Sequence, residues 1–466
     1  MTLRDFRSAR RYLLSGLLIC CFIPSAGAAG ANPPNTLQKK VDDYIRPIAA
    51  SQNFSGCALL AREGKPIFDR CYAMADYELG AKNSGSTRFH IASVSKAFTA
   101  AAILLLQQEG KLSTDDLLEK FIPAYPHGSE IRLHHLLTHT SGIPNVNDFP
   151  EYEAKSREHL SLEEVIALFK DKPLKFSPGA KYQYSNSNYN LLAYVIEKVS
   201  GQKYGEFLAA RFFKPLKMEM TGDDQDPARI IPGRAHGYVP SGADGIANAP
   251  YLDWSIKTGN GSLYSTSHDL LKWDQALATG QVLNAATLDK MFARQKTPFS
   301  YGWIVHEQFG RVIQEINGRS PGFTATLARY PQDKVTVIVT SNSYSALSQT
   351  MADDLAAILL DKPYRPLLPV VAVQVPERKI QDFFGTYQFG DDFVFNPGLK
   401  VIIHQENRHL VMHSSDSEIY LIPTSENTFI DRLYGGRVTF VAGPEGKSSA
   451  LKWNFGKDYV ATRIAP

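Results

Sequence analysis

The hydrophobic positions along this chain switch repeatedly between helical and strand period. Residues 37–50 carry apolar side chains at helical spacing, which predicts an amphipathic helix. Two strand-like runs follow within 55–73, the second alternating, with the turn-forming Glu63-Gly64-Lys65 between them, so a hairpin is expected. From Ser93 to Gln108 the sequence SVSKAFTAAAILLLQQ is apolar almost all round. That pattern predicts a helix buried in a core, stopped at Gly110. Further helices are predicted at 162–170, at 188–200 before Gly201 and at 267–278 before Gly280, among loops rich in Pro and Gly. After 300 the runs SYGWIVHE, GRVIQEI, TATLARY and KVTVIVTSN read as strands, and a helix over 346–360 closes this part. Strands at both ends of a helical middle predict an α+β fold over 37–362, an antiparallel sheet flanked by helices.

A second unit is predicted beyond it. Residues 363–376 hold Pro363, Pro366, Pro369 and Pro376 without sustained periodicity and read as a semi-rigid linker. Over 377–466 the period becomes two: Leu399, Val401, Ile403; Leu410, Met412; Ile419, Leu421; Val438, Phe440; Leu451, Trp453, Phe455. Short strands with one buried face predict a small all-β barrel or sandwich.

Composition narrows the classes. In 466 residues, 44% apolar and 21% charged content excludes disordered and fibrous chains. Residues 1–28 place Arg4, Arg7, Arg10 and Arg11 ahead of a short apolar run and the small triplet Ala26-Gly27-Ala28, which reads as a cleavable export signal. The run from Tyr12 to Ile23 is too short to cross about 30 Å of hydrocarbon. A secreted or periplasmic protein with no stable membrane anchor is expected. Cleavage removes four Arg and one Asp, taking 50 basic and 47 acidic residues to 46 of each. The net charge of +3 thus belongs to the leader, and the mature chain lacks the basic footprint of a nucleic-acid binder. Export leaves Cys57 and Cys71, roughly equidistant from Gly64. A cross-strand disulfide and two unpaired buried thiols are the alternatives.

Candidate chemistry begins at Ser93-Val94-Ser95-Lys96. Residues three apart share a helical face, so the Lys96 amine reaches the Ser93 hydroxyl. A lysine stripped of water has a lowered pKa and can take the proton that keeps a serine from being a nucleophile. The helix N-terminus adds a positive field where an oxyanion would form. Alone, S-x-x-K is a weak signal, and a capping serine with a solvated lysine is the commoner meaning. Here the lysine sits in a helix too apolar to bury it without a partner or a task.

Tyr184-Ser185-Asn186, in FSPGAKYQYSNSNYNLL, supplies the second element. With it the chain resembles the serine beta-lactamase-related family, which includes class C beta-lactamases, D-alanyl-D-alanine carboxypeptidases and related esterases and peptidases. The likeness extends through FSGCALLAREGKPIF, FHIASVSKAFTAAAILLLQQEGKL, IRLHHLLTHTSGIP, GNGSLYSTSHDLLKWDQAL, and YGW followed by GRSPGF. Six blocks in family order over about 300 residues outweigh the weakness of each. The resemblance implies that Ser93 is the nucleophile, Lys96 its partner in proton transfer, and Tyr184 a second proton-exchanging group whose pKa is lowered by Lys96. Asn186 would bond Lys96 and the substrate. No cofactor is implied, and the partner is a small-molecule or peptide substrate. The C-terminal segment resembles the lipocalin-like β-domains appended to such hydrolases.

One family feature is missing. Where members carry Lys-Thr-Gly or His-x-Gly on the strand before Pro-Gly-Phe, this chain has Ile316-Asn317-Gly318. Gly318 still allows close backbone approach, and the Arg319 amide would join that of Ser93 as an oxyanion hole. The Arg319 side chain either replaces the lost charge or is a solvated surface arginine. Efficient beta-lactam chemistry is disfavoured by Ile316, and a non-catalytic binding or sensor protein on the same fold is the rival from another class.

Three motifs are set aside. Lys257-Thr258-Gly259 spells the missing triad but lies well before its strand, a chance match by family order. Gly318-Arg319-Ser320-Pro321-Gly322 spells a nucleophile elbow, yet Pro321 lacks the N–H that elbow requires. His135 and His139 have zinc-pair spacing, but Leu136 stands where H-E-x-x-H needs its glutamate, so they are expected to order the LLTHTSG turn.

Overall fold

The structure, a computed structural model, describes residues 36–465 apart from 243–244, 346, 365–371, 394–397, 407, 415–417 and 455–456. The expected leader, Pro366, Pro369 and Phe455 lie outside the described residues.

Six antiparallel strands form the main sheet in the order Ile304–Gln308, Arg311–Ser320, Phe323–Tyr330, Val335–Ser341, Gly56–Arg62, Lys65–Tyr72. The N-terminal hairpin therefore pairs with the last strand of the first unit, as strands at opposite ends of the chain predict. Its two-residue turn places Glu63 at φ +51° and Gly64 at φ +73°, the left-handed pair that matches strand twist. Cys57 stands directly opposite Cys71 in that hairpin, and their sulfurs are bonded.

Side-chain alternation divides the sheet into two faces. Ala58, Leu60, Val337 and Val339 pack under the helices Thr36–Ala50 and Leu347–Leu359. Leu59, Leu327 and Ile338 face the larger helical layer, built round Ser95–Gln108. That helix is buried from Ser95 to Leu106, as its unbroken apolar sequence demands. Asn186–Ser200 packs beside it and ends at Gly201, whose φ of +71° makes a left-handed cap. Sequence periodicity missed the short helices Tyr204–Leu208 and Ala285–Phe292, which are a turn or two long.

The C-terminal unit resolves the choice between barrel and sandwich. Eight antiparallel strands from Gly385–Phe389 to Asp458–Ala465 close into a barrel, the first pairing with the last. The period-two residues Val401, Ile403, Leu410, Met412, Ile419, Leu421, Val438, Phe440, Leu451 and Trp453 fill its interior. Closure removes the sheet edges that would template aggregation.

One buried ion pair ties helix to sheet. Asp274, on the helix Ser267–Thr279, accepts from Arg329 Nε and, at 2.6 Å, from Thr336 Oγ1 on the neighbouring strand. Arg329 and Thr336 are cross-strand partners, so one carboxylate spans both strands. Asp274→Ala would strand a buried guanidinium, with an expected loss of about 3–5 kcal/mol. Denaturant unfolding of the variant checks this.

Candidate active site

The residue before Ser93 sets its position. Ala92 has φ +46°, a left-handed conformation that costs a residue with a Cβ about 1 kcal/mol or more. This bend places Ser93 in the short turn Ala92–Val94, immediately ahead of the buried helix. Lys96, one turn into the helix, is 0% exposed. Its Nζ lies 3.0 Å from Ser93 Oγ, 2.8 Å from Asn186 Oδ1 and 2.7 Å from the Asn260 carbonyl. Tyr184 Oη is 2.9 Å from Ser93 Oγ. The structure thus brings Ser93, Lys96, Tyr184 and Asn186 into one cluster from two separate stretches.

Burial moves the amine and the phenol in opposite directions. Loss of water pushes the Lys96 pKa well below the ordinary lysine value, and the charge of Lys257 lowers it further. The same loss pushes the Tyr184 phenol up, against the smaller opposing effect of its bond with Ser93. The expectation that Lys96 depresses the Tyr184 pKa is not met, because the loss of water around the phenol is the larger effect.

Other side chains fix this cluster. Asn186 Nδ2 donates to Asn147 Oδ1 at 2.7 Å, and its backbone N–H to Asn145 Oδ1 at 2.9 Å, orienting the amide whose oxygen holds Lys96. His139 lies 4.4 Å from the Tyr184 ring, at φ +55°, and accepts the Ser185 N–H at Nδ1. Burial and the nearby Lys96 hold its pKa well below the usual histidine value. His135 instead accepts the Arg132 N–H at the start of its helix. These are the turn-ordering roles expected of the pair, and no metal-binding cluster occurs among the described residues.

The strand Arg311–Ser320 runs past the nucleophile. A Cβ on Gly318 would come within 2.5 Å of Ser93 N and 2.6 Å of Ile91 O, so only glycine fits this approach. Ile316 is buried and contributes no charge. Ser320 lies in the strand itself, not on a strand-to-helix elbow. Arg319 takes a position that neither sequence reading anticipates. Its guanidinium lies 4.8 Å from the ring centroids of both Tyr344 and Tyr434 and donates to Tyr434 Oη at 2.9 Å. The side chain is clamped at the contact with the barrel, neither surface-solvated nor offered to a substrate.

That contact is made by one barrel turn. Asp431, fully buried, has its pKa pushed up to about 6 by burial and accepts from Trp453 Nε1, Tyr434 N and Gly436 N. The turn so held presents Arg432 to Asn53 Oδ1 and to the Ser241 and Gly242 carbonyls, alongside Tyr434. A cavity of about 340 Å³ opens near the end of the Gly318 strand, walled by His90, Tyr251, Trp254, Pro321 and Phe323 among others.

Sequence reasoning missed Asn147 and the support that His139 gives Tyr184. Lys257 sits at the end of the turn Trp254–Lys257, two residues before the Gly259 that packs on Tyr189. Its signal in the sequence was the very KTG set aside as chance, and the fold places it near Lys96 without making it the family's third motif.

Comparison with known proteins agrees with this geometry. The beta-lactamase family profile matches residues 41–361. Penicillin-binding protein 4* of Bacillus subtilis is 26% identical over 91% of this chain and 98% of its own. The solved penicillin binding protein from Bacillus halodurans is 29% identical, with a TM-score of 0.60 over 71% of this chain and 99% of that one. The D-amino acid amidase from Ochrobactrum anthropi, at 22% identity, shares the fold, with a TM-score of 0.62 over 70% and 97% of the two chains. Since the profile spans well over half the chain and covers Ser93, Lys96 and Tyr184, the protein belongs to the beta-lactamase family of serine hydrolases and is homologous to the penicillin-binding proteins.

Proposed function

We propose that this chain is an exported hydrolase of the class C beta-lactamase and D-alanyl-D-alanine carboxypeptidase type, acting through an acyl-enzyme on an ester, amide or peptide. The observation that carries it is a serine hydroxyl with a buried amine at 3.0 Å and a phenol at 2.9 Å. A neutral Lys96 has two N–H groups, which the Asn186 and Asn260 oxygens accept, and its lone pair then faces Ser93 Oγ. Ser93 Oγ attacks the carbonyl carbon as its proton passes to Lys96 Nζ. The oxyanion is held by the Ser93 and Arg319 amides, and Tyr184, kept protonated by burial, donates to the leaving group and is resupplied through Lys96. Water then attacks the acyl carbon, its proton returns by the same groups, and Ser93 is released. Every step uses the chain's own groups and needs no cofactor.

Peptidase or esterase chemistry is favoured over efficient beta-lactam hydrolysis, because Ile316 removes the expected cation. Amides of D-amino acids are the first substrates to try, given the name of the D-amino acid amidase that shares the fold. The pairing of Cys57 with Cys71 supports the secreted or periplasmic location that the N-terminal segment suggests.

Treatment with a fluorophosphonate and with a penicillin, followed by intact mass measurement, is expected to add one equivalent at Ser93 that Ser93→Ala abolishes. A folded protein unmodified by both reagents would sink the reading. Lys96→Arg, whose guanidinium cannot give up its proton, should slow labelling by about 10²–10⁴-fold. Since the base must be neutral, the labelling rate rises with pH through the depressed Lys96 pKa. The acid limb should therefore lie well below pH 10, and a limb at the free-lysine value of about 10.4 would contradict the assignment. Gly318→Ala forces the strand away from Ser93 and is expected to slow the same labelling at least about tenfold, with a stability cost of about 1–3 kcal/mol in a parallel melt.

A further inference from the structure

Of the basic side chains Lys96, Arg319 and Lys257, two are already engaged. Lys96 is held by Ser93, Asn186 and Asn260, and Arg319 is clamped between Tyr344 and Tyr434. The third is Lys257. Only 7% of it is exposed, and its ammonium stands 5.2 Å over the Tyr152 ring. Among the described residues no carboxylate pairs with it and no acceptor takes its hydrogens. The side chain is largely withdrawn from water, and its ammonium has an aromatic face but no acceptor beside it.

Its place is fixed by the turn that also serves the catalytic lysine. The Lys257 carbonyl accepts the Asn260 and Gly261 N–H groups at 2.9 and 2.8 Å, while the Asn260 carbonyl accepts Lys96 Nζ. A Cβ on Gly261 would lie 3.6 Å from both Lys257 Cβ and the Ala92 carbonyl carbon, so a single glycine separates the root of Lys257 from the bend that carries Ser93. Tyr152 follows Asn147, the partner of Asn186, by five residues. Lys257 therefore belongs to the helical wall of the site, across from the strand that bears Ile316 and Gly318. Its repulsion of Lys96 shows the two amines within electrostatic reach.

We infer that Lys257 receives an anionic group of the substrate, a carboxylate above all, and supplies from the helical wall the charge that Ile316 withholds from the strand wall. The consequence for turnover rests on the acyl-enzyme reading, whereas the anion site itself does not. An uncharged substrate would leave the ammonium with the Tyr152 ring alone, as in the free protein. An anionic one places its carboxylate on a cation that, among the described residues, has an aromatic ring but no acceptor beside it.

Two pairs of esters test this, one varying charge on the acyl side and one on the leaving-group side. They are 4-nitrophenyl hemiglutarate against 4-nitrophenyl pentanoate, and 3-acetoxybenzoate against 3-acetoxybenzamide. The parent protein is expected to favour the anionic member of at least one pair by about tenfold in kcat/KM, Lys257→Met to lose that preference, and Lys257→Arg to keep it. If Lys257→Met does not fold, Lys257→Gln carries the same comparison. Ratios unchanged in a variant that melts like its parent would overturn the proposal. Calorimetric titration with glutarate and with glutaramide reads the site without turnover. Glutarate binding weakened about tenfold by Lys257→Met upholds the anion site even if no ester is cleaved, which would then count against the acyl-enzyme reading alone. Equal binding of glutarate to parent and variant, or none to either, overturns the anion site.

Discussion

A primary amine held without water inside an apolar helix is the constraint from which the rest of this site follows. Burial disfavours Lys96 as an ammonium, and three oxygens stand within hydrogen-bond reach of its nitrogen. Each acceptor comes from a different element, Asn186 from the start of its own helix and the Asn260 carbonyl from a turn packed on the other side. The third oxygen is the Ser93 hydroxyl, 3.0 Å away. The same dryness pushes the Tyr184 phenol up, so one physical cause moves an amine and a phenol in opposite directions at a single hydroxyl.

Much of this was legible in the order of residues, for reasons that differ from one element to the next. The barrel announced itself because its interior is filled by every second residue, as in Val401 and Ile403 or Val438 and Phe440. The buried helix was readable because Ala97 to Leu106 leaves no polar face. Ser93, Lys96 and Tyr184 were found through family motifs, and the geometry adds the distances that spacing alone does not supply. Arg319 was ambiguous because its partner Tyr434 stands 115 residues away in another unit, beyond any local pattern. Lys257 was rightly set aside as the third motif, but its own surroundings were not legible from the local pattern. Its three letters match a motif whose function depends on lying in a strand, and in a turn on the facing wall the same lysine has a different neighbourhood.

The clamp on Arg319 links the two units at a sensitive point. One peptide bond separates it from Gly318, whose backbone approaches Ser93 so closely that no Cβ fits. On its far side the guanidinium is gripped by Tyr434, whose turn is organised round the buried carboxylate of Asp431. A displacement of that turn must either drag the Arg319 side chain or leave it facing one aromatic ring instead of two. Because desolvated cation–π contacts are worth up to about 2 kcal/mol each, the barrel biases the strand toward the position seen here. The unit that looks appended in sequence is mechanically continuous with the wall that faces the nucleophile.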